Sequence, residues 1–429
     1  MTANRKFLFL QGPHGPFFRQ LAAKIAATGA SVERIGFNRG DEVFWGAGAA
    51  FTGFSGSAQE WPEFLSKYLA TASTTDIVLY GDSRPMHKTA RDIAKRHGIT
   101  VHCFEEGYLR PYWATYERDG TNGNSALMRL DIEAMRHAVE ANPRELSEAP
   151  VQWGAAWHHA FYGFLYHLFL SFPGARFKNY RPHRQETVGT ELWLYIRKLA
   201  AMPLNGVLRR IKTRGLLRSG AIYHLVLLQL SHDASLKSHS DYGSIEEFIT
   251  DVVEGFAKGA PSHHRLVFKA HPFEDGRENL PKIVRQVASL AGINERVIFI
   301  PGGKLGPLLD SAKSTVTVNS TAAQQALWRN LPVLALGRSV FSKPDLVSQK
   351  PLEEYFDEPE APQADAYKYY RKFLLETSQV GGGFYTQTGR AELLRRVVDL
   401  MLSDDDPYSL VLNGENQNVE GPKLIATSN

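Results

Sequence analysis

The sequence predicts an α/β fold made of two doubly wound units. Three observations carry that reading. Short apolar runs, each ending in a polar turn, alternate with amphipathic helical segments. One long aromatic and basic stretch interrupts the alternation, which then resumes near Ala221. A chain of 429 residues also exceeds what a single core holds.

Taken in order, 6–10 reads as a buried strand ending in Gln11-Gly12-Pro13-His14-Gly15-Pro16, with a helix over 17–28. A strand over 31–37 leads to the turn Asn38-Arg39-Gly40-Asp41, and 61–72 is helical. The run 77–80 meets Gly81-Asp82-Ser83-Arg84-Pro85, a helix follows over 86–97, and a strand over 100–104 ends in Glu105-Glu106-Gly107-Tyr108. In the second unit a strand over 222–230 leads to Ser231-His232-Asp233, and 245–258 is a helix. A strand over 265–270 ends at His271-Pro272, and strands over 296–300, 314–318 and 332–336 follow. The strand over 314–318 ends at Asn319-Ser320-Thr321, where a helix through Trp328 starts. Helices over 366–376 and 390–402 are expected to cross back and brace the domains. This gives a first domain of 1–218 with a helical excursion over about 130–218, a second domain of 219–405, and a polar, disordered tail over 406–429. Two Rossmann-like domains facing a central cleft form the arrangement called GT-B. The Gly12-Pro13-His14-Gly15-Pro16 turn is not a dinucleotide fingerprint, and there is no internal repeat.

The composition, 43% hydrophobic, is that of a globular protein. The apolar run at the N-terminus is too short for a secretion signal. No stretch reaches the roughly 18–20 apolar residues that span a bilayer. Cys103, the only cysteine, sits in a predicted strand and reads as a small buried hydrophobe. With no disulfide framework, a cytoplasmic location is expected. The net charge of +4 is uneven: residues 151–220 hold eleven Lys and Arg against Glu186 and Glu191. Ten aromatics lie between Trp153 and Tyr180, among them Trp157 and Phe161. Aromatics beside cations suit a membrane interface with anionic headgroups. The alternatives are a helical excursion packed on its own domain with solvated basic residues, and, least favoured, a nucleic-acid surface.

In open parallel sheets ligands sit at the carboxyl ends of the strands, so the polar residues there are the site candidates. Asp233 ends the first strand of the second domain, and Glu105 and Glu106 end a strand of the first. Acids from opposite walls of a cleft are the pair that glycosyl transfer needs as nucleophile and base. Asp82 is a further candidate, or an Asx turn. His271, with Pro272 beside it, suits a phosphate or ribose oxygen. Asn319, Ser320 and Thr321 precede a helix, where hydroxyls and free N–H groups make an anion site without a metal. Lys269 and Arg110 are candidates for a substrate carboxylate.

Together the segments FLQGPHGPFF, IGFNRGD, LYGDSRPMHKTA, FEEGYLRPYW, LSHDAS, KAHP and VNSTAAQQAL resemble the bacterial capsule polysaccharide synthesis and export family, over roughly 5–345. The similarity is to the smaller of that family's two capsule proteins. It implies a retaining β-Kdo glycosyltransferase that uses CMP-Kdo, with no metal cofactor. The acceptor it implies is a phosphatidylglycerol-type lipid at the cytoplasmic membrane face, beside other capsule assembly proteins. It further implies that His271-Pro272 and Ser320-Thr321 bind CMP. The larger family member has EDG where this chain has Glu105-Glu106-Gly107, which favours Glu105 as the catalytic acid. Two other readings stand beside this one: a non-enzymatic export or scaffold component, and a GT-B enzyme with a different nucleotide-sugar donor.

Overall fold

The computed structural model describes residues 4–46, 50–109, 112–141, 156–172, 175–177, 206–230, 236, 238–272, 274 and 276–412. Two sheets organise the chain. In the first, β1 (Lys6–Phe9), β2 (Ser31–Gly36), β3 (Phe51–Gly53), β4 (Asp76–Tyr80) and β5 (Thr100–Glu106) are parallel. β6 (Trp113–Arg118) and β12 (Gln379–Gly381) extend one edge antiparallel, giving the order β12-β6-β5-β4-β1-β2-β3. The second sheet is all parallel: β7 (Tyr223–Leu227), β8 (Arg265–Lys269), β9 (Val297–Ile300), β10 (Ser314–Thr317) and β11 (Val333–Ala335), in the order β11-β10-β7-β8-β9. Each unit starts at the centre, winds out one way, returns and winds out the other. The reversals leave crevices between β1 and β4 and between β7 and β10, outside the carboxyl ends, where such sheets bind ligands.

Strand alternation builds the core. Phe7, Phe9, Val78, Tyr80 and Phe104 face one side of the first sheet, and Leu8, Leu10, Ile77, Leu79 and Cys103 the other. Both faces are apolar because helices cover both. Each such side chain, fully buried, contributes about 1.5–3 kcal/mol. A third cluster joins the units, uniting Tyr108, Leu127 and Met135 with Leu225, Val267 and Phe373. At this junction Lys343 Nζ donates to the Leu127 carbonyl (2.7 Å) and to that of Leu130.

The domain boundary expected at 218 and 219–405 needs correction. Helix Ala366–Glu376 packs on α5 (Ile132–Ala141), after which the chain re-enters the first unit. β12 pairs with β6, whose outer edge would otherwise leave ladder groups unpaired. Helix Gln387–Leu402 then buries Leu393, Val397 and Met401 against the phenylalanine face. Arg5 and Arg118 clasp its last carbonyls, Leu402 at 3.1 Å and Leu400 at 3.1 Å. The tail is also shorter than expected. Pro407–Leu412 is a helix that buries Tyr408 and Val411, and Tyr408 stacks on Phe373. The rest of the tail, like Trp153 and 178–200 in the excursion, lies outside the described residues. A helix, α2 (Arg39–Trp45), stands where a turn was expected, with Asn38 Oδ1 capping the Asp41 N–H at 2.9 Å.

Candidate active site between the two strand edges

β5 carries its alternation through the two glutamates. Glu106 shares the face of Phe104, where Tyr80 Oη donates to its Oε1 at 3.1 Å and Tyr385 lies beside it. Glu105 falls on the other face, toward the turn after β4. That turn needs Gly81, whose φ is +71°. A Cβ there would stand 3.3 Å from Glu105 Oε2 and 3.7 Å from Arg84 Nε, so carboxylate and guanidinium flank one point. Burial pushes the Glu105 carboxyl up to about 7. The charges of Glu106 and Asp82 act in the same direction, against the Glu106 N–H (3.2 Å) and Arg84.

Asp82 is 0% exposed, and its oxygens accept from Arg91 Nη1 (2.7 Å), Thr121 N (3.0 Å), Asn124 Nδ2 (2.9 Å) and Ser83 Oγ (3.1 Å). Of the two roles expected for Asp82, substrate binding or an Asx turn, the geometry describes a structural one: its donors are protein groups, and it ties the β4 turn to the 119–124 loop.

In the second unit Gln229 and Asn319 bridge the crevice between β7 and β10. Gln229 Nε2 donates to Asn319 Oδ1 at 2.7 Å, and Asn319 N donates to Gln229 Oε1 at 3.1 Å. Asn319 is thus a buried floor residue. Ser320 and Thr321 follow it half-buried, and Ser320 Oγ caps the Ala322 N–H at 3.3 Å. Half-buried His271 and exposed Pro272 follow β8 on the same carboxyl edge. Lys269, the last residue of β8, is 5% exposed, and burial together with nearby Arg209 lowers its ammonium to about 8. The structure therefore brings Lys269, His271 and Asn319–Thr321 to one edge, and Glu105 and Glu106 to the other. Asp233 and Arg110 lie outside the described residues.

His239 joins the two edges. Its Nε2 lies 3.4 Å from Ser83 Oγ, and its ring covers Gly123, where a Cβ would meet Nδ1 at 2.4 Å. Its carbonyl accepts from Asn319 Nδ2 (3.3 Å) and Arg338 N (2.7 Å). Within the excursion, α6 (Ala156–Leu170) sits on the first edge. Tyr166 Oη accepts from Gln11 Nε2 (2.6 Å) and Asn38 Nδ2 (2.7 Å), and the His14 ring stacks on Tyr166 at 4.3 Å. Gln11 Oε1 in turn accepts from Arg84 Nη1 at 2.7 Å. Sequence reasoning missed Gln11, Arg84, Tyr166, His239 and Tyr385 as site residues. Gln11 and Arg84 follow strands, so weighing every polar residue at a strand end, not only acids and histidines, finds them.

Among the described residues no three His, Cys, Asp or Glu side chains come together to hold a metal. No helix among them is long and apolar enough to cross a membrane.

Two Rossmann-like units, acids on one strand edge and small polar donors on the other, define a GT-B-like α/β protein. The chain belongs to the family described as capsule polysaccharide biosynthesis protein, whose profile matches residues 75–385. It is 30% identical over 395 residues to the capsule polysaccharide modification protein LipB of Neisseria meningitidis serogroup B, across 90% of this chain and 93% of LipB. It is 29% identical over 388 residues to the capsule polysaccharide export protein KpsS of Escherichia coli, across 90% of this chain and 98% of KpsS. Among solved structures, the β-Kdo 2,7 transferase KpsC of Thermosulfurimonas dismutans aligns with 92% of this chain and 100% of its own, at 12% identity and a TM-score of 0.42.

Proposed function

We propose that this chain is a retaining glycosyltransferase that moves β-Kdo from CMP-Kdo to a phosphatidylglycerol-type lipid, beginning the linker that carries a capsular polysaccharide. The observation that carries the reading is the Glu105 carboxyl, raised to about 7 at a strand edge joined to the second unit through His239. A general base works best when its pKa lies near the working pH. Capsule-family membership supports the substrate class.

The reaction is two inversions at the anomeric carbon. Asp233 bonds to that carbon as CMP leaves, its phosphate taking the electron pair. The acceptor hydroxyl then displaces Asp233 while Glu105 takes the hydroxyl proton. Glu106, held by Tyr80, lies beside this step. His271, Ser320 and Thr321 hold the CMP phosphate and ribose over the floor set by Asn319. One phosphate needs no divalent ion, so transfer is expected to persist in EDTA. Lys269 or Arg110 pairs with the sugar carboxylate.

Lipid as acceptor fits the excursion. α6 turns Phe161, Phe164 and Leu168 outward, Phe172 is exposed just past its end, and helix 206–218 exposes Val207, Leu208 and Ile211 beside Arg210 and Arg214. Such a surface suits peripheral attachment to an anionic membrane face. The test is incubation of purified protein with CMP-Kdo and a fluorescent phosphatidylglycerol, read by mass spectrometry. A product heavier by one Kdo supports the reading. No product with a verified donor overturns it and favours another donor or a non-enzymatic export role.

A further inference from the structure

We propose that Arg84 is the acceptor-side anion anchor, holding the phosphodiester of an amphiphilic acceptor beside Glu105 while the acceptor's apolar chains run out along α6. The proposal rests on the reading of Glu105 as the base that meets the acceptor hydroxyl.

Arg84 directly follows the β4 turn, at the crevice between β1 and β4. Its guanidinium is set in place by two neutral groups: Nη1 donates to Gln11 Oε1 at 2.7 Å, and the planar head lies 5.5 Å from the Tyr80 ring centroid. Three other arginines of this unit are neutralised by a carboxylate, whereas Arg118 and Arg390 are taken up by backbone carbonyls. Arg5 pairs with Asp76, Arg34 with Asp41 at 2.9 Å, and Arg91 with Asp82 at 2.7 Å. Among the described residues Arg84 forms no ion pair, and it is only half-buried. A cation oriented by an amide and a ring keeps its charge for an incoming anion, and a guanidinium matches phosphate oxygens in pairs. None of the acids nearby forms an ion pair with it. Asp82 is spent on Arg91, Asp41 on Arg34, and Glu106 is turned to the other face of β5 and held by Tyr80, while Glu105 feels the Arg84 charge without an ion pair. Glu105 flanks the same point over Gly81, which places an acceptor hydroxyl a few atoms from the anion within its reach.

The seat of α6 beside Arg84 points to an amphiphile. Gln11, which orients Arg84, is itself held by Tyr166 Oη of α6. Phe161, Phe164 and Leu168 recur at helical spacing as the outward stripe of α6, on the face away from Tyr166, and exposed Phe172 follows the helix. An anionic group at Arg84 and apolar chains on that stripe are two ends of one ligand.

The test measures binding by the full chain without donor. Dihexanoyl phosphatidylglycerol is titrated calorimetrically into wild type, Arg84→Gln and Arg84→Lys, with glycerol 3-phosphate and uncharged 1-O-octylglycerol as comparison ligands. Loss of one charge-assisted contact predicts roughly 10- to 100-fold weaker binding of the lipid by Arg84→Gln. Its preference for the lipid over octylglycerol should shrink by the same factor, and Arg84→Lys should recover part of it. Equal weakening of both ligands, or no change, overturns the anchor. Glycerol 3-phosphate binding as tightly as the lipid overturns the amphiphile. Thermal unfolding of each variant shows that it folds, and the lysine variant decides the matter if the glutamine variant does not. Because no donor is present, these outcomes stand apart from whether wild type transfers Kdo.

Discussion

In the proposed reaction the Glu105 carboxyl opposes the fold while it serves as the base. An unfolded glutamate titrates near about 4.3, whereas burial in the folded chain moves Glu105 up to about 7. Between those values the folded state holds a proton that the unfolded state has released, so this group's contribution to stability falls as pH rises from about 4 to about 7. Above that window the cost is constant. Glu105→Gln should therefore melt higher than wild type at pH 8 and alongside it at pH 4. As a base, Glu105 acts only when ionised, so transfer should rise through pH 7, and the glutamine variant should lose that limb with about 10²- to 10⁴-fold of the rate. A variant that transfers normally, or melts lower at pH 8, would make Glu105 a structural carboxylate. On the facing edge, His271→Ala and the pair Ser320→Ala/Thr321→Ala should each weaken CMP binding by about 1.5–3 kcal/mol per lost charge-assisted bond. Calorimetry with CMP decides it, and unchanged affinity in both puts the nucleotide elsewhere. The strand-end positions of the glutamates and His271 were legible because each closes an apolar run. Arg84 and Gln11 were not, because each looks like ordinary turn chemistry until the fold sets them 2.7 Å apart.

At the scale of elements, the long apolar runs declared themselves and the short pieces did not. β4 and β7 are buried at all five positions, so their runs were unmistakable. β3 and β12 have three residues each, too few to show a period, and β12 exists only because β6 offers it an edge. The aromatic excursion was visible as composition but its seat was not, since Gln11 and Asn38 meet Tyr166 from 155 and 128 residues away. That seat is testable. Tyr166→Phe keeps the ring stacked on His14 but leaves two buried amide donors without their acceptor, each costing about 1–3 kcal/mol. Denaturant unfolding should show a loss of at least about 1 kcal/mol. A change inside a few tenths would mean that α6 is held by its rings alone. The proposed transfer should fall with it, because Gln11 then loses the group that fixes it against Arg84.

At the scale of the molecule, two exposed surfaces, one on each unit, offer two kinds of attraction with different responses to salt. Arg210, Arg214 and Arg218 are exposed on helix 206–218, whereas Lys212 donates to the Phe299 carbonyl and Arg209 packs against Gly303. The last two brace the second unit, so a clean test leaves them in place. Each exposed arginine near an anionic surface contributes about 1 kcal/mol. The triple change Arg210→Gln/Arg214→Gln/Arg218→Gln should thus weaken sedimentation with phosphatidylglycerol liposomes by up to about 100-fold, and about 1 M salt, with a Debye length near 3 Å, should have the same effect on wild type. Phe161, Phe164 and Phe172 offer a contribution that salt does not screen, at roughly 25 cal/mol per Å² of apolar area buried. With Phe172 70% exposed in water, changing the three to serine costs the free fold little and the bound state much. The serine variant should lose the salt-resistant part of liposome binding while still transferring to a short water-soluble acceptor. Wild type that ignores phosphatidylglycerol liposomes at low salt would leave both helices as solvated faces, and the lipid would then have to reach Glu105 without the membrane.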